Sequence, residues 1–296
     1  MAENSKKTSG KFTGHIFALV TILVWGVTFL ATEQMLDFCT SSQLLMLRFI
    51  VAYLVLLVAR PRFLAIERIK DELEYIVLAA TGVVGYYALE NYAIGHGGAE
   101  NTSILVSFVP IVTLITMCIT GQKDRLRFHH FIGFAIAICG VALVVYNGAK
   151  IRLDLELSAA GAALGACVCW GVYSVIIGKH TERDPILLAR RVLFWALLFI
   201  VPFTVLTEGF PPIKPLISET GFACIVILGV LGSGFCYCMW NIAIRKLGID
   251  VATNYIYILP FVTLLASLLL DRTDFSLLGM GGAVLILIGV LISDIG

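Results

Sequence analysis

The sequence predicts an all-α integral membrane protein, with ten transmembrane helices arranged as two inverted five-helix repeats. Three observations carry this reading. Hydrophobic residues fill 59% of the 296 positions and charged residues 14%, against roughly 45–50% and about 25% in soluble domains. Ten apolar runs are each near the roughly 20 residues that cross a bilayer as a helix. The second half of the chain repeats marks found in the first, in the same order.

The composition excludes a soluble enzyme, a nucleic-acid-binding domain and a disordered chain, because one soluble core of this size cannot hide so much apolar surface. Net charge is +1, so no global field attracts an anionic polymer. No nucleic-acid partner is expected; the lipid bilayer is.

The ten runs are 14–33, 42–59, 75–95, 102–121, 128–147, 157–179, 185–206, 219–244, 251–270 and 275–293. They are apolar all round and do not alternate with period two, which favours helices over an outer-membrane barrel. Lys6, Lys7 and Lys11 precede the first run as they would in a signal peptide. The run is nearly twenty residues long and no small-x-small site follows, so it reads as a retained helix. Residues 1–13 form an expected cytoplasmic tail, 14–147 the first repeat and 157–293 the second.

Basic residues set the orientation. With the N-terminus inside, inner segments hold Lys6, Lys7, Lys11, Arg60, Arg62, Arg68, Lys70, Lys123, Arg125, Arg127, Lys179, Arg183, Arg245 and Lys246. Outer loops hold Lys150, Arg152, Lys214 and Arg272. An even number of spans in the cell membrane, with both termini cytoplasmic, follows.

The repeat is clearest at an offset of 150. Leu89-Glu90-Asn91-Tyr92-Ala93-Ile94 matches Met239-Trp240-Asn241-Ile242-Ala243-Ile244, Gly98 matches Gly248, and Pro110-Ile111-Val112-Thr113-Leu114 matches Pro260-Phe261-Val262-Thr263-Leu264. With small shifts, Trp25-Gly26-Val27 meets Trp170-Gly171-Val172, Arg48 meets Arg190, Gly82 meets Gly229, and Gly140-Val141 meets Gly289-Val290. Five spans per half is odd, so the second copy enters from the opposite side, the inverted-repeat plan of secondary transporters.

In these marks the chain resembles the drug/metabolite transporter superfamily, in its two-domain EamA-like, ten-helix members. The resemblance runs from about His15 to Ser293. It rests on Trp25-Gly26 and Trp170-Gly171, Arg48-Phe49, Asn91-x-Ala93 and Asn241-x-Ala243-x-x-x-Leu247-Gly248, Pro110 and Pro260, Gly133…Gly140 and Gly282…Gly289. Family members often carry Gly-Glu after the fourth helix of a repeat, where this chain has Gly121-Gln122 and Leu270-Asp271. The resemblance implies an exporter or exchanger of amino acids and related metabolites, with a cavity lined by spans one to four and six to nine. Nucleotide-like, vitamin-like or cationic solutes, or a lipid flippase role, are the alternatives.

Arg48 lies deep in the second span, where a charge is costly and is paired, functional or snorkelling. Glu90 is the acid well inside a span, at similar depth. The two are expected to pair or to share an outer vestibule, and Glu90 is the candidate for proton coupling. Tyr87 and Asn91 share a helix face, as do Ser233, Tyr237 and Asn241. Asn91 and Asn241 bridge helices or line the cavity. Trp25 and Trp170 sit mid-span, away from the interfacial belts. With Thr28, Tyr173 and Tyr255 they are expected to wall a cavity. Pro110 and Pro260 read as mid-helix kinks or hinges. Gly133-x-x-x-Ala137 and Gly279-x-x-x-Ala283 read as close helix contacts, in the scaffold or at a homodimer interface. Arg190 and Arg191 read as snorkelling, although Arg190 mirrors Arg48.

Eight cysteines, seven of them in spans, point to no disulfide framework or metal site; Cys39 alone stands in a loop where it could react. No phosphate-binding loop and no protease or lipase motif occurs, so no cofactor, ATP drive or enzyme activity is expected.

Overall fold

The computed structural model describes residues 2–62, 68–121, 127–147 and 156–270, together with 281, 282, 284, 285, 288, 289 and 292. Nine long helices form among the described residues: α1 (Ala2–Leu36), α2 (Ser41–Ala59), α3 (69–97), α4 (Ala99–Ile119), α5 (Phe128–Asn147), α6 (Leu157–His180), α7 (Pro185–Thr207), α8 (Glu219–Leu247) and α9 (Ile249–Leu269). Seven of them are long and apolar enough to cross a membrane: α1 from Gly10, α2, α4, α6, α7, α8 and α9. α3 is not among them, and α5 contributes the shorter apolar stretch Phe128–Gly140. Most of the expected span 275–293 lies outside the described residues, as do Gln122, Lys123, Arg125, Lys150, Arg152, Asp271, Arg272, Gly279 and Ala283. The described positions from 281 to 292 are helical. α1 is helical from Ala2, through residues 2–13 of the expected tail.

Caps explain the helix starts. Thr40 and Gln43 form a capping box before α2, with the Gln43 N–H donating to Thr40 Oγ1 at 3.3 Å and the Thr40 N–H donating to Gln43 Oε1 at 3.2 Å. Asp184 accepts from the N–H groups of Ile186 and Leu187 ahead of Pro185, which opens α7. Single glycines turn α3 into α4 and α8 into α9. Gly98 has φ 83° and ψ 160°, and Gly248 has φ 96° and ψ 163°. Only glycine adopts this region freely, so Gly98→Ala is expected to cost about 1–3 kcal/mol, readable as a lowered thermal denaturation midpoint.

The matched prolines do not interrupt continuous helices. α4 breaks at Ser107-Phe108 and resumes as Val109–Ile119, while α9 passes through the 3-10 segment Tyr255–Ile258 and resumes as Leu259–Leu269. Pro110 and Pro260 sit in the first turn of the resumed segments, where the missing N–H is no loss. The kink precedes the proline instead of lying at it.

The two halves are interleaved. α1 packs on α8 and α9, as α6 packs on α3 and α4; α2 packs on α8, as α7 packs on α3. The Trp-Gly marks belong to this exchange. A Cβ at Gly26 would stand 2.6 Å from Val262 Cβ, and one at Gly171 would stand 3.3 Å from Val112 Cγ1. Val112 and Val262 are 150 apart. A Cβ at Gly289 would meet the Gly133 oxygen at 2.6 Å and the Ala137 nitrogen at 2.7 Å. The small residues of α5 thus serve a contact within the chain. Leu23, Leu54, Val168, Leu198 and Phe199 are exposed on the outside of the bundle, where lipid would cover them.

At the end of the bundle that holds the α2 C-terminus, three ion pairs and a hydrogen bond join the halves among the described residues. Arg60 pairs with Asp184 at 3.1 Å, Arg183 with Asp71 at 3.1 Å and Arg191 with Glu72 at 3.0 Å, and His180 Nε2 lies 2.7 Å from Glu74 Oε2. Arg191 and Arg190, expected to snorkel, are held by protein groups: Arg191 is paired with Glu72, and Arg190 is buried and donates to the Arg60 carbonyl, because α7 begins against the α2 end. Cys39 is not the reactive thiol its loop position implied. It is buried beside Met35 and Leu44, donates to the Met35 carbonyl at 3.2 Å, and burial pushes its thiol up to about 11, so it stays protonated and unreactive.

Candidate functional site

α3 and α8 each depart from α-helical winding at matching places. Residues Ala79–Gly85 and Val226–Phe235 are π-helical, a winding that frees carbonyls for other donors. Each freed carbonyl receives an aromatic side chain from the opposite half. Tyr237 donates its hydroxyl to the Gly82 oxygen at 2.7 Å, and Trp25 donates its indole N–H to the Gly232 oxygen at 3.0 Å. Gly82 and Gly232 are 150 apart, so Gly232, and not the shifted match Gly229, is the structural counterpart of Gly82.

These bonds fix an aromatic cluster at the crossing of the halves. The Trp25 and Trp170 rings meet edge to face at 5.2 Å and 88°. Trp25 lies 5.1 Å from Trp240, Trp170 lies 4.8 Å from Tyr86 and 4.9 Å from Tyr173, and Tyr87 lies 6.4 Å from Tyr237. Against the cluster opens a narrow cavity of about 20 Å³, room for about one water molecule. Of the expected residues, Trp25, Thr28, Tyr87, Glu90 and Trp170 line it, joined by Phe29, Tyr86, Val106, Val109, Ile256 and Leu259.

Other expected site residues stand elsewhere. Tyr173 and Tyr237 buttress the wall from behind. Tyr255 does not reach the cavity: its hydroxyl is 2.7 Å from His15 Nδ1 on α1, because the 3-10 turn presents the neighbouring Ile256 instead. Asn241 accepts from the Tyr173 hydroxyl at 3.4 Å and lines a second, smaller cavity of about 10 Å³ with Arg183 and Arg245. Asn91 is buried off the central wall, and its amide has no hydrogen-bond partner among the described residues.

Arg48 is 1% exposed. Its Nε donates to Ser233 Oγ of α8 at 3.0 Å, and its guanidinium carbon lies 4.1 Å from the Tyr87 ring centre. Both Nη groups lack any hydrogen-bond partner among the described residues. Glu90 is 4% exposed and accepts from the Tyr86 hydroxyl at 2.7 Å. No ion pair joins Arg48 and Glu90. Tyr87 occupies the face of the guanidinium, and α2 leans on α8, so the arginine meets Ser233 first. Sequence reasoning missed Trp240. Its place opposite Glu90 in the repeat was the available signal, hidden because a tryptophan in an apolar run looks ordinary.

A helical membrane protein of two interleaved repeats closed around a cavity lined by aromatic rings and Glu90 has the build of a solute transporter. The model of the EamA-like transporter family matches residues 12–146 and 157–293, and the chain belongs to that family. It is similar to a probable terminal-alkyne amino-acid exporter of Streptantibioticus cattleyicolor, 27% identical over 87% of this chain and 85% of that protein. An uncharacterized transporter of Archaeoglobus fulgidus is 26% identical over 84% of this chain and 86% of its own length. A probable amino-acid metabolite efflux pump of Salmonella typhimurium is 25% identical, covering 94% of both. A solved crystal structure superposes with a TM-score of 0.75 at 18% identity over 96% of both chains, which supports the fold.

Proposed function

We propose that the chain is a secondary active transporter that exports or exchanges amino acids or related small polar metabolites by alternating access. Ten transmembrane helices in two inverted repeats, residues 14–147 and 157–293, would carry it in the cell membrane with both termini cytoplasmic. The observation that carries this reading is Arg48, a buried cation beside the cavity whose two Nη groups have no hydrogen-bond partner among the described residues. A charge so placed is costly unless compensated, and a substrate carboxylate compensates it. The names of the similar exporter and efflux pump agree with that chemistry. Trp25, Thr28, Tyr87 and Trp170 contact the solute in this reading, with Tyr173 and Tyr237 backing the wall and Asn241 bonded to Tyr173; Asn91 stands off the wall. Tyr255 is assigned to the His15 contact.

The interleaving suits alternating access. Each half grips the other through equivalent contacts, so the halves can exchange conformations and turn the cavity from one side to the other. Pro110 and Pro260, beside the breaks in α4 and α9, are the proposed bending points.

Counterflow in proteoliposomes is the direct test: unlabelled amino acids inside should accelerate entry of labelled amino acid. Acceleration by none of them removes amino acids as the substrate. Glu90 is the proposed proton carrier, set among Tyr86, Tyr87 and Arg48. Glu90→Gln is expected to keep residual exchange and to lose acceleration by a pH gradient. An unchanged response to the gradient removes Glu90 from coupling.

A further inference from the structure

At the central cavity Glu90 lines the wall, Arg48 is buried behind it, and no ion pair joins the two. Arg48 has a protein partner at Nε and none at Nη1 or Nη2 among the described residues. Glu90 takes one hydrogen bond, from Tyr86, at Oε1. Tyr87 stands with both. Its ring lies under the guanidinium at 4.1 Å, and Glu90 follows it by three positions on the same face of α3. In an interior of low dielectric each charge needs a counter-charge. One molecule bearing both charges supplies the two at once.

We propose that the site selects zwitterionic α-amino acids by two-point charge recognition, a reading that rests on this cavity being the transport site. Arg48 takes the carboxylate through its Nη groups, whose planar fork matches two oxygens. The guanidinium stands behind the Tyr87 ring, which lines the cavity, so the proposed contact requires that ring to move aside when substrate binds. Glu90 takes the α-ammonium, and the faces of Trp25, Tyr86 and Trp170 surround that cation. Phe29, Val106, Val109, Ile256 and Leu259 give the cavity an apolar lining, which would face the substrate side chain once the cavity widens around it.

The repeat supports this assignment by the places where it is broken. At an offset of 150, Glu90 becomes Trp240 and Tyr86 becomes Cys236. Arg190, the counterpart of Arg48, is bonded to the Arg60 carbonyl at an end of the bundle. The halves share the aromatic frame, and the carboxylate enters the cavity from the first half alone.

The test is binding of three labelled probes to the purified full-length protein: L-phenylalanine, 3-phenylpropionate, which lacks the ammonium, and phenethylamine, which lacks the carboxylate. Each missing charge-assisted contact is expected to weaken binding about 10- to 150-fold. Glu90→Gln should erase the preference for phenylalanine over 3-phenylpropionate, and Glu90→Asp should restore part of it. If the wild-type protein exchanges phenylalanine but binds either half-ligand as tightly, two-point recognition is overturned and transport stands. If no amino acid is exchanged or bound, the amino-acid reading of the transport site fails and takes this one with it. The wild-type comparison needs no variant, so it decides the matter even where a mutant misfolds.

Discussion

Arg48→Met is expected to abolish amino-acid exchange while the protein denatures at or above the wild-type temperature. The two effects part because the charge serves the substrate and not the fold. Arg48 is buried with one hydrogen bond, to Ser233, and a stacked contact with Tyr87. A charge-assisted hydrogen bond contributes about 1.5–3 kcal/mol and a desolvated cation–π contact about 2 kcal/mol. Burying a lone guanidinium costs several kcal/mol, so its net contribution to stability is near zero or negative. Methionine fills the same space without a charge to desolvate. Removing one partner of a buried charge pair costs about 2–5 kcal/mol in binding, or about 30-fold to several thousand-fold in affinity. Counterflow rates and thermal denaturation of the same preparation check both halves of the expectation. Wild-type exchange in the variant would strip Arg48 of its proposed role, and a large fall in denaturation temperature would make it structural.

Gly82→Ala is expected to be among the most damaging small substitutions in the chain. Its Cβ would overlap Cδ2 and Cγ of the Tyr173 ring and stand 2.8 Å from Cε2. That ring cannot swing clear. It is 1% exposed, 4.9 Å from Trp170 and 6.0 Å from Tyr237, with its hydroxyl on Asn241. Any retreat of α3 also moves the Gly82 carbonyl that accepts from Tyr237. Overpacking of this kind costs about 1–3 kcal/mol or more, so the denaturation temperature should fall by roughly 5 °C or more. Combining it with Tyr173→Leu should recover stability relative to Gly82→Ala alone. A double variant no better than the single one would show that the clash is relieved elsewhere.

Much of the site is conspicuous in the amino-acid sequence, and for one reason. Polar and charged residues inside apolar runs are expensive, so Arg48, Glu90 and the paired asparagines stand out. Trp25 and Trp170 stand out because the repeat marks them twice. What escapes is residues whose importance lies in a neighbour. Trp240 is one more apolar residue in α8 until it is seen against Trp25. Ser233 is a small residue until Arg48 arrives from another helix. The π-helical segments have no signature beyond a few glycines, because an extra residue in a helical turn is imposed by packing. Tyr255 is misplaced by sequence reasoning because Tyr255 and Ile256 are adjacent, and the local winding alone decides which of them faces the cavity.

A membrane-embedded helical chain of the EamA-like family, built twice over, can be read from the residues without coordinates. Apolar runs of that length can be satisfied only as helices in lipid, and a shared offset of 150 is a property of the letters. Which charges meet is a matter of tertiary packing. Arg48 pairs with Ser233 and not with Glu90, Pro110 and Pro260 follow the breaks in α4 and α9, and the glycine carbonyls of each half hold the aromatic rings of the other. The partners in these bonds come from opposite halves of the chain. Hydrophobicity acts without direction and sets only that the helices assemble. Which faces touch is settled by side-chain shape at the crossings, where a glycine admits a ring and an added methyl group does not.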